Sequence, residues 1–386
     1  MLSKSLRKKI ARRVVWGMNM KEGESLLIKG GVHAQDFIEE IAITAMKQGV
    51  DTMISTGSDN IVKRVYDEVP IKYLKKTPKI SMKMVEALDN YIGLDERVDD
   101  PRIYEKIPHE KMAAVRFGSE PLSRKMDKLG IKTCVLGYPT KKLAASLGVR
   151  YSLLEKIIFG GTLVDAKELM RKSAFLTKNM KNAELIHAFD EFGTDLTIKI
   201  KGRPIWVDDS YISDEDFKSR DRHNNIPGGE VFIPPVETYG HGILMSPKRT
   251  DVFSNKMIEN IKLVFEKGKL KLNKTKAEKN EKALKATIKN CIKIDRKRGK
   301  IIRTTNIAEL GIGLNPVINE IIGFLLTDEK IGGTIHVAIG KNKHFNGRSD
   351  SSLHWDFITN KGINLEAIYP NKKVKMLIEN GEVCFD

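Results

Sequence analysis

Apolar residues in the first 150 positions fall into short blocks whose spacing predicts alternating strands and helices. Gly23-Glu-Ser-Leu-Leu-Ile-Lys29 reads as a strand, and Gln35 to Lys47 carries apolar residues at helical spacing. Asp51-Thr-Met-Ile-Ser-Thr56, Asn90-Tyr-Ile-Gly-Leu94 and Lys132-Thr-Cys-Val-Leu-Gly137 read as further strands. Such alternation implies a layered α/β domain around a largely parallel sheet. After a helical stretch from Val164 to Met180, the pattern changes to polar and apolar residues taken in turn, as in Asp195-Leu-Thr-Ile-Lys-Ile-Lys201. Strand-like segments bounded by Gly and Pro follow. The fold class expected is α/β with two domains. Residues 1–180 form an N-terminal layered α/β domain, and 181–386 form a C-terminal strand-rich α+β domain. A basic helix and a second helix from Val317 to Leu326 are expected to interrupt the latter.

Four short segments of the C-terminal part, three of them containing Gly, each present polar side chains at defined spots: Ile226-Pro-Gly-Gly-Glu-Val-Phe232, Ala308-Glu-Leu-Gly-Ile-Gly-Leu-Asn-Pro316, Gly333-Thr-Ile-His-Val-Ala-Ile-Gly340 and Leu353-His-Trp-Asp-Phe357. In the third, the period of two puts Ile335, Val337 and Ile339 on one face and His336 with the small Ala338 on the other. That leaves room for an ion beside the imidazole. In the fourth, His354 and Asp356 share a face. Three of the chain's eight His fall in the 19 residues from His336 to His354, a clustering composition does not explain. Glu230, Glu309, His336, His354 and Asp356 together offer three carboxylates and two imidazoles, a set suited to divalent ions rather than to a thiolate-held structural zinc. Zinc, cobalt, manganese and magnesium all fit such donors, and hydrolysis is the chemistry they serve.

Gly193-Thr-Asp-Leu-Thr197, Asn225 to Phe232, Ala308 to Pro316, Glu329-Lys-Ile-Gly-Gly-Thr-Ile-His-Val-Ala-Ile-Gly340 and His354-Trp-Asp356 together resemble the M29 metallo-aminopeptidases, in content and in order. The resemblance is close over about residues 185–360 and general over 1–180. It implies that the five residues hold two co-catalytic divalent ions, with one of the glutamates bridging them; Glu309 is the one expected to do so. It also implies a peptide substrate, release of N-terminal residues, and a homodimer. One departure stands out: the family's catalytic tyrosine corresponds to the position seven residues after His336, which here is Lys343. Either Lys343 or His344 takes over proton handling or oxyanion stabilisation, or the chain has altered or lost peptidase activity and serves as a metal-binding or assembly module. Glu237, close in sequence to Glu230, is the candidate to accept the proton of the attacking water.

Composition adds limits. With 386 residues, 41% of them hydrophobic and 30% charged, the chain can bury a core large enough for two domains. No run approaches 18 apolar residues, and the start, Met1-Leu-Ser-Lys-Ser-Leu-Arg-Lys-Lys-Ile10, lacks the apolar stretch of a signal peptide, so a cytoplasmic location and no membrane partner are expected. Cys134, Cys291 and Cys384 are too few and too scattered for a disulfide framework. The net charge of +17 raises nucleic acid as a partner. Residues 262–300 hold 15 Lys or Arg against four Asp or Glu, so this one segment carries +11 of it. Leu284, Ile288 and Cys291 follow helical spacing there, and no aromatic residue follows Phe265 to stack a base. A solvated lysine face is the expectation, with no nucleic-acid partner.

Overall fold

Leu26, Leu27 and Ile28 are buried in succession, the mark of a strand covered on both faces. They belong to Ser25–Gly31, an interior strand, second from the edge, of a five-stranded, wholly parallel sheet in the computed structural model, which describes residues 3–95, 97–254 and 256–385. Asp51–Gly57 pairs on one side of this strand and Asn90–Leu94 on the other; Lys132–Leu136 and then His223–Ile226 follow outward. The helix Lys4–Gly17 starts at Ser3, whose hydroxyl accepts from the Leu6 amide, and buries Ile10, Ala11, Val14 and Val15. Gln35–Met46 buries Phe37, Ile38, Ile41, Ala42 and Ala45, a stripe repeating about every four residues.

The chain divides into two compact units, one of residues 1–163 with 210–228 and the other of 164–209 with 229–386. A single boundary near residue 180 differs from this division at both ends. The helix Ala166–Met180 belongs to the second unit because Leu169, Leu176 and Met180 join its core. Residues 210–228 belong to the first because His223–Ile226 completes the parallel sheet.

Two antiparallel sheets build the second unit. The larger has nine strands, with Gly240–Thr250, Asp195–Lys199, Leu185–Phe189 and Asn364–Ile368 in its middle. The smaller runs in the order His354–Ile358, Thr334–Gly340, Ile307–Gly313, Glu230–Ile233, Trp206–Asp208. Their apolar faces share one core: Ile186, Leu196 and Leu244 from the larger sheet meet Val231, Leu310, Ile312, Ile335, Val337, Trp355 and Phe357 from the smaller. The basic helix spans Glu281–Lys297; it buries Leu284, Thr287, Ile288, Cys291 and Asp295 and leaves Lys282, Lys289, Lys293 and Arg296 exposed.

The helix expected from Val317 to Leu326 does not form. Gly323 takes φ +88°, outside the right-handed helical region, and only Leu325–Asp328 makes a turn of helix. The buried carboxylate of Asp328 accepts from the amides of Ile322 and Gly323 at 3.0 and 2.9 Å, which holds the loop in place of a helical ladder. No described helix is long and apolar enough to cross a membrane.

Candidate metal centre

Strand register brings the five candidate ligands to one face of the smaller sheet. Ala338 lies opposite both Glu309 and Asp356, His336 opposite Gly311, Gly340 opposite His354, and Gly313 opposite Glu230. Glu309 reaches this face through a β-bulge. Ile307 pairs with Ile339 on the core face, but the register shifts before Glu309 pairs with Ala338, so two residues that strict alternation would put together point to opposite sides. Small residues clear the floor beneath the polar groups. A Cβ on Gly311 would lie 2.0 Å from Cε1 and Nε2 of His336, so the imidazole rests where a side chain would otherwise stand.

The side chains converge closely. His336 Nε2 is 3.5 Å from Glu309 Oε1 and 3.7 Å from Glu230 Oε2, and His354 Nε2 is 3.2 Å from Glu309 Oε2 and 3.3 Å from Asp356 Oδ1. Glu309 therefore turns one oxygen to each imidazole. Donor atoms of Glu309, His354 and Asp356 lie within 4.8 Å of one another, as do those of Glu329, His336 and Asp356. Nδ1 of His354 sits 2.6 Å from the carbonyl oxygen of Lys341; donation there leaves Nε2 as the lone-pair nitrogen facing the carboxylates.

These residues fit divalent cations. Glu230 Oε2, both carboxylate oxygens of Asp356 and Nε2 of His336 are buried without a hydrogen-bond partner, which is costly unless a ligand satisfies them. One buried cation belongs to the chain itself: Lys330 Nζ is 2.8 Å from Glu230 Oε1, 3.3 Å from Glu329 Oε2 and 3.7 Å from Asp208 Oδ2.

Burial and charge divide the titrations of the metal-free site. Burial pushes Glu230 up to about 8, only partly offset by Lys330, and raises Glu329 as well. Burial also raises Glu309, but the adjoining imidazoles of His336 and His354 outweigh it and hold the carboxyl below its ordinary value. Burial works against charge on His336, yet Glu309 and Glu230 lift it to about 9, and His354 is raised for like reasons by Asp356 and Glu309. The His336 contribution to stability is full below pH 6.5 and lost as pH climbs to about 9, and Glu230 works in the same direction between 4.5 and about 8. Chelator-treated protein should thus melt at a lower temperature at pH 9 than at pH 6.5, and added divalent ion should shrink the difference. Thermal unfolding at both pH values checks this, and equal melting temperatures without metal would refute it.

Comparison with known proteins agrees with the use of divalent metal. The sequence profile described as thermophilic metalloprotease (M29) matches residues 4–383, nearly the whole chain. The chain belongs to the M29 family. It is thus of a metallopeptidase kind. Its M29 relatives include aminopeptidase AmpS of Bacillus subtilis, 22% identical over 96% of each chain. Aminopeptidase T of Thermus aquaticus is 26% identical over 70% of each. Among solved structures, wild-type AmpT from Thermus thermophilus superposes with a TM-score of 0.76 at 18% identity, covering 98% of this chain and 99% of that one. The 2,5-dihydroxypyridine dioxygenase of Pseudomonas putida KT2440 gives 0.65 at 13% identity, over 100% and 98%. At these identities the structural likeness concerns the fold.

The other residues singled out from the sequence of this M29 chain lie in different settings. Glu237 is buried outside the cluster. One of its oxygens pairs with Arg203, and the other accepts from Asn342 Nδ2 at 3.1 Å and from the Arg348 amide at 2.5 Å. Burial raises its carboxyl, but these donors outweigh that and keep it below the ordinary value. Lys343 is exposed on the short turn Lys343–Phe345. His344, next to it, stands with its ring 5.5 Å from that of His354 and 4.5 Å from that of Phe345. Although His344 is exposed, crowding by the surrounding chain and then the neighbouring His354 push it down to about 4. Sequence reasoning missed Glu329 and Lys330 as members of the cluster. Both are charged residues just ahead of Gly332-Gly333, where the sequence reads as a solvated turn.

Proposed function

We propose that this chain is a metal-dependent aminopeptidase that releases N-terminal residues from peptides at a site for two divalent ions. The observation that carries the reading is the convergence of Glu230, Glu309, His336, His354 and Asp356, with Glu329, on one sheet face. Glu309, His354 and Asp356 would hold one ion and His336 with Glu230 the other; Glu309, turned to both imidazoles, is the residue to bridge. Divalent ions there would acidify water and polarise the scissile carbonyl.

The chain's own groups supply the rest. Glu329, held at Oε2 by Lys330 and raised by burial, is suited to take a proton from the attacking water and return it to the leaving amine. Glu237 then acts by position: through Asn342 and Arg348 it braces the turn that presents His344. His344, neutral at pH 7, can offer an N–H to the developing oxyanion in place of the family's tyrosine, and Lys343 is the alternative donor. The names of the AmpS and aminopeptidase T relatives favour the same activity. Assembly as a homodimer, without a nucleic-acid partner, completes the proposal.

A second reading, a metal site with altered or lost peptidase chemistry, is favoured by Lys343 at the tyrosine position and by the dioxygenase that shares the fold. One experiment separates the two. Purified protein is stripped with chelator and titrated with zinc, cobalt, manganese or magnesium against a panel of aminoacyl anilides. Turnover restored by metal is the expected outcome; stoichiometric metal binding without turnover would select the second reading.

A further inference from the structure

Among the described residues four Lys or Arg side chains are buried, and three of them hold a carboxylate: Lys132 with Glu24, Lys172 with Glu168, and Lys330 with Glu230. Arg249 is the fourth. It lies on the strand Gly240–Thr250 of the second unit and is 7% exposed. Its Nε is buried without an acceptor, and no carboxylate among the described residues forms an ion pair with it. A guanidinium keeps its charge at any ordinary pH and presents a rigid fork of donors matched to a carboxylate. Burial of such a group without its anion is costly, whereas burial with one supplied from outside the chain makes a receptor.

Its place in the fold gives that anion a role. Gly240–Thr250 packs beside His354–Ile358, the strand that carries His354 and Asp356. Arg249 thus lies on a strand packed against the one that carries two of the candidate metal ligands.

We propose that Arg249 receives a carboxylate of the bound peptide, making this enzyme selective for substrates that carry a negative charge beside the scissile bond. The inference rests on the aminopeptidase reading above. Two sources offer the same chemistry: the free C-terminus of a dipeptide, about 3.5 Å of chain beyond the scissile carbonyl, or an acidic side chain on the residue released.

The test uses the full chain loaded with cobalt and two substrate pairs, leucylglycine against leucylglycinamide and aspartylglycinamide against asparaginylglycinamide. Preference within the first pair names the C-terminus as the source, and preference within the second names the side chain. Arg249→Met should lower the preferred pair's ratio of kcat/KM roughly 10- to 100-fold, as loss of a charged hydrogen bond does, and Arg249→Lys should keep part of it. A ratio is insensitive to the fraction of folded, metal-loaded protein. Ratios near one in both pairs for the wild type, or a ratio unchanged in Arg249→Met, would overturn the proposal. If the wild type cleaves none of the four, the aminopeptidase reading falls, and calorimetric binding of leucylglycine against its amide decides the receptor separately. Discrimination lost in Arg249→Met supports it, and equal binding of the two by the wild type overturns it.

Discussion

His336→Ala is expected to release metal and abolish turnover together. The imidazole is fully buried, and its Nε2 stands between Glu309 and Glu230 over the open floor at Gly311. Alanine offers no donor atom there. Residues that merely brace a metal ligand cost roughly 10- to 100-fold in affinity or activity when removed, so loss of a ligand should exceed about 100-fold. Metal content by atomic absorption, alongside anilide hydrolysis, reads both effects. A variant that keeps its full complement of metal and its rate would remove His336 from the ligand set.

The second large effect is on stability. Lys330→Met removes the ammonium that faces Glu230, Glu329 and Asp208 and leaves the buried Glu230 with only the more distant His336 imidazole as a cation. Breaking a buried ion pair by deleting one partner costs about 3–5 kcal/mol, and here one ammonium serves several carboxylates. Denaturant unfolding in chelator should show a loss of that size, with part regained on adding divalent ion, because a metal supplies the missing positive charge. A change below about 1 kcal/mol in chelator would mean that the carboxylates protonate instead, and the electrostatic account of Lys330 would fail.

Much of the site could be read from local pattern because strand alternation is a local rule. His336 between Ile335 and Val337, and His354 two residues before Asp356, declare their faces from their neighbours alone. Glu309 did not. By alternation it shares a face with Ile307, and only the bulge between them, a property of strand pairing, sends it to the polar side. Lys330 and Arg249 were hidden for a related reason. Nothing next to a charged residue in the chain records that it will be enclosed by strands distant in sequence. Glu237 shows the converse: closeness to Glu230 in sequence suggested chemistry, whereas its partners Arg203, Asn342 and Arg348 come from elsewhere and occupy both of its oxygens. The helix expected at Val317–Leu326, after Asn315-Pro316, gives way to an irregular loop from which the buried Ile318 and Ile322 pack.

The parallel sheet of the first unit takes its last strand, His223–Ile226, from a segment that comes after 46 residues of the second unit, 164–209, have intervened. During synthesis, then, the ribosome must deliver part of the second unit before the first can close. Until Ile226 has emerged, Lys132–Leu136 has backbone groups awaiting their partner on that side, a template for pairing with a stray chain. A gene cut at residue 180 would make that interval permanent in its N-terminal product, which should aggregate, while the separately expressed remainder would carry an orphan strand.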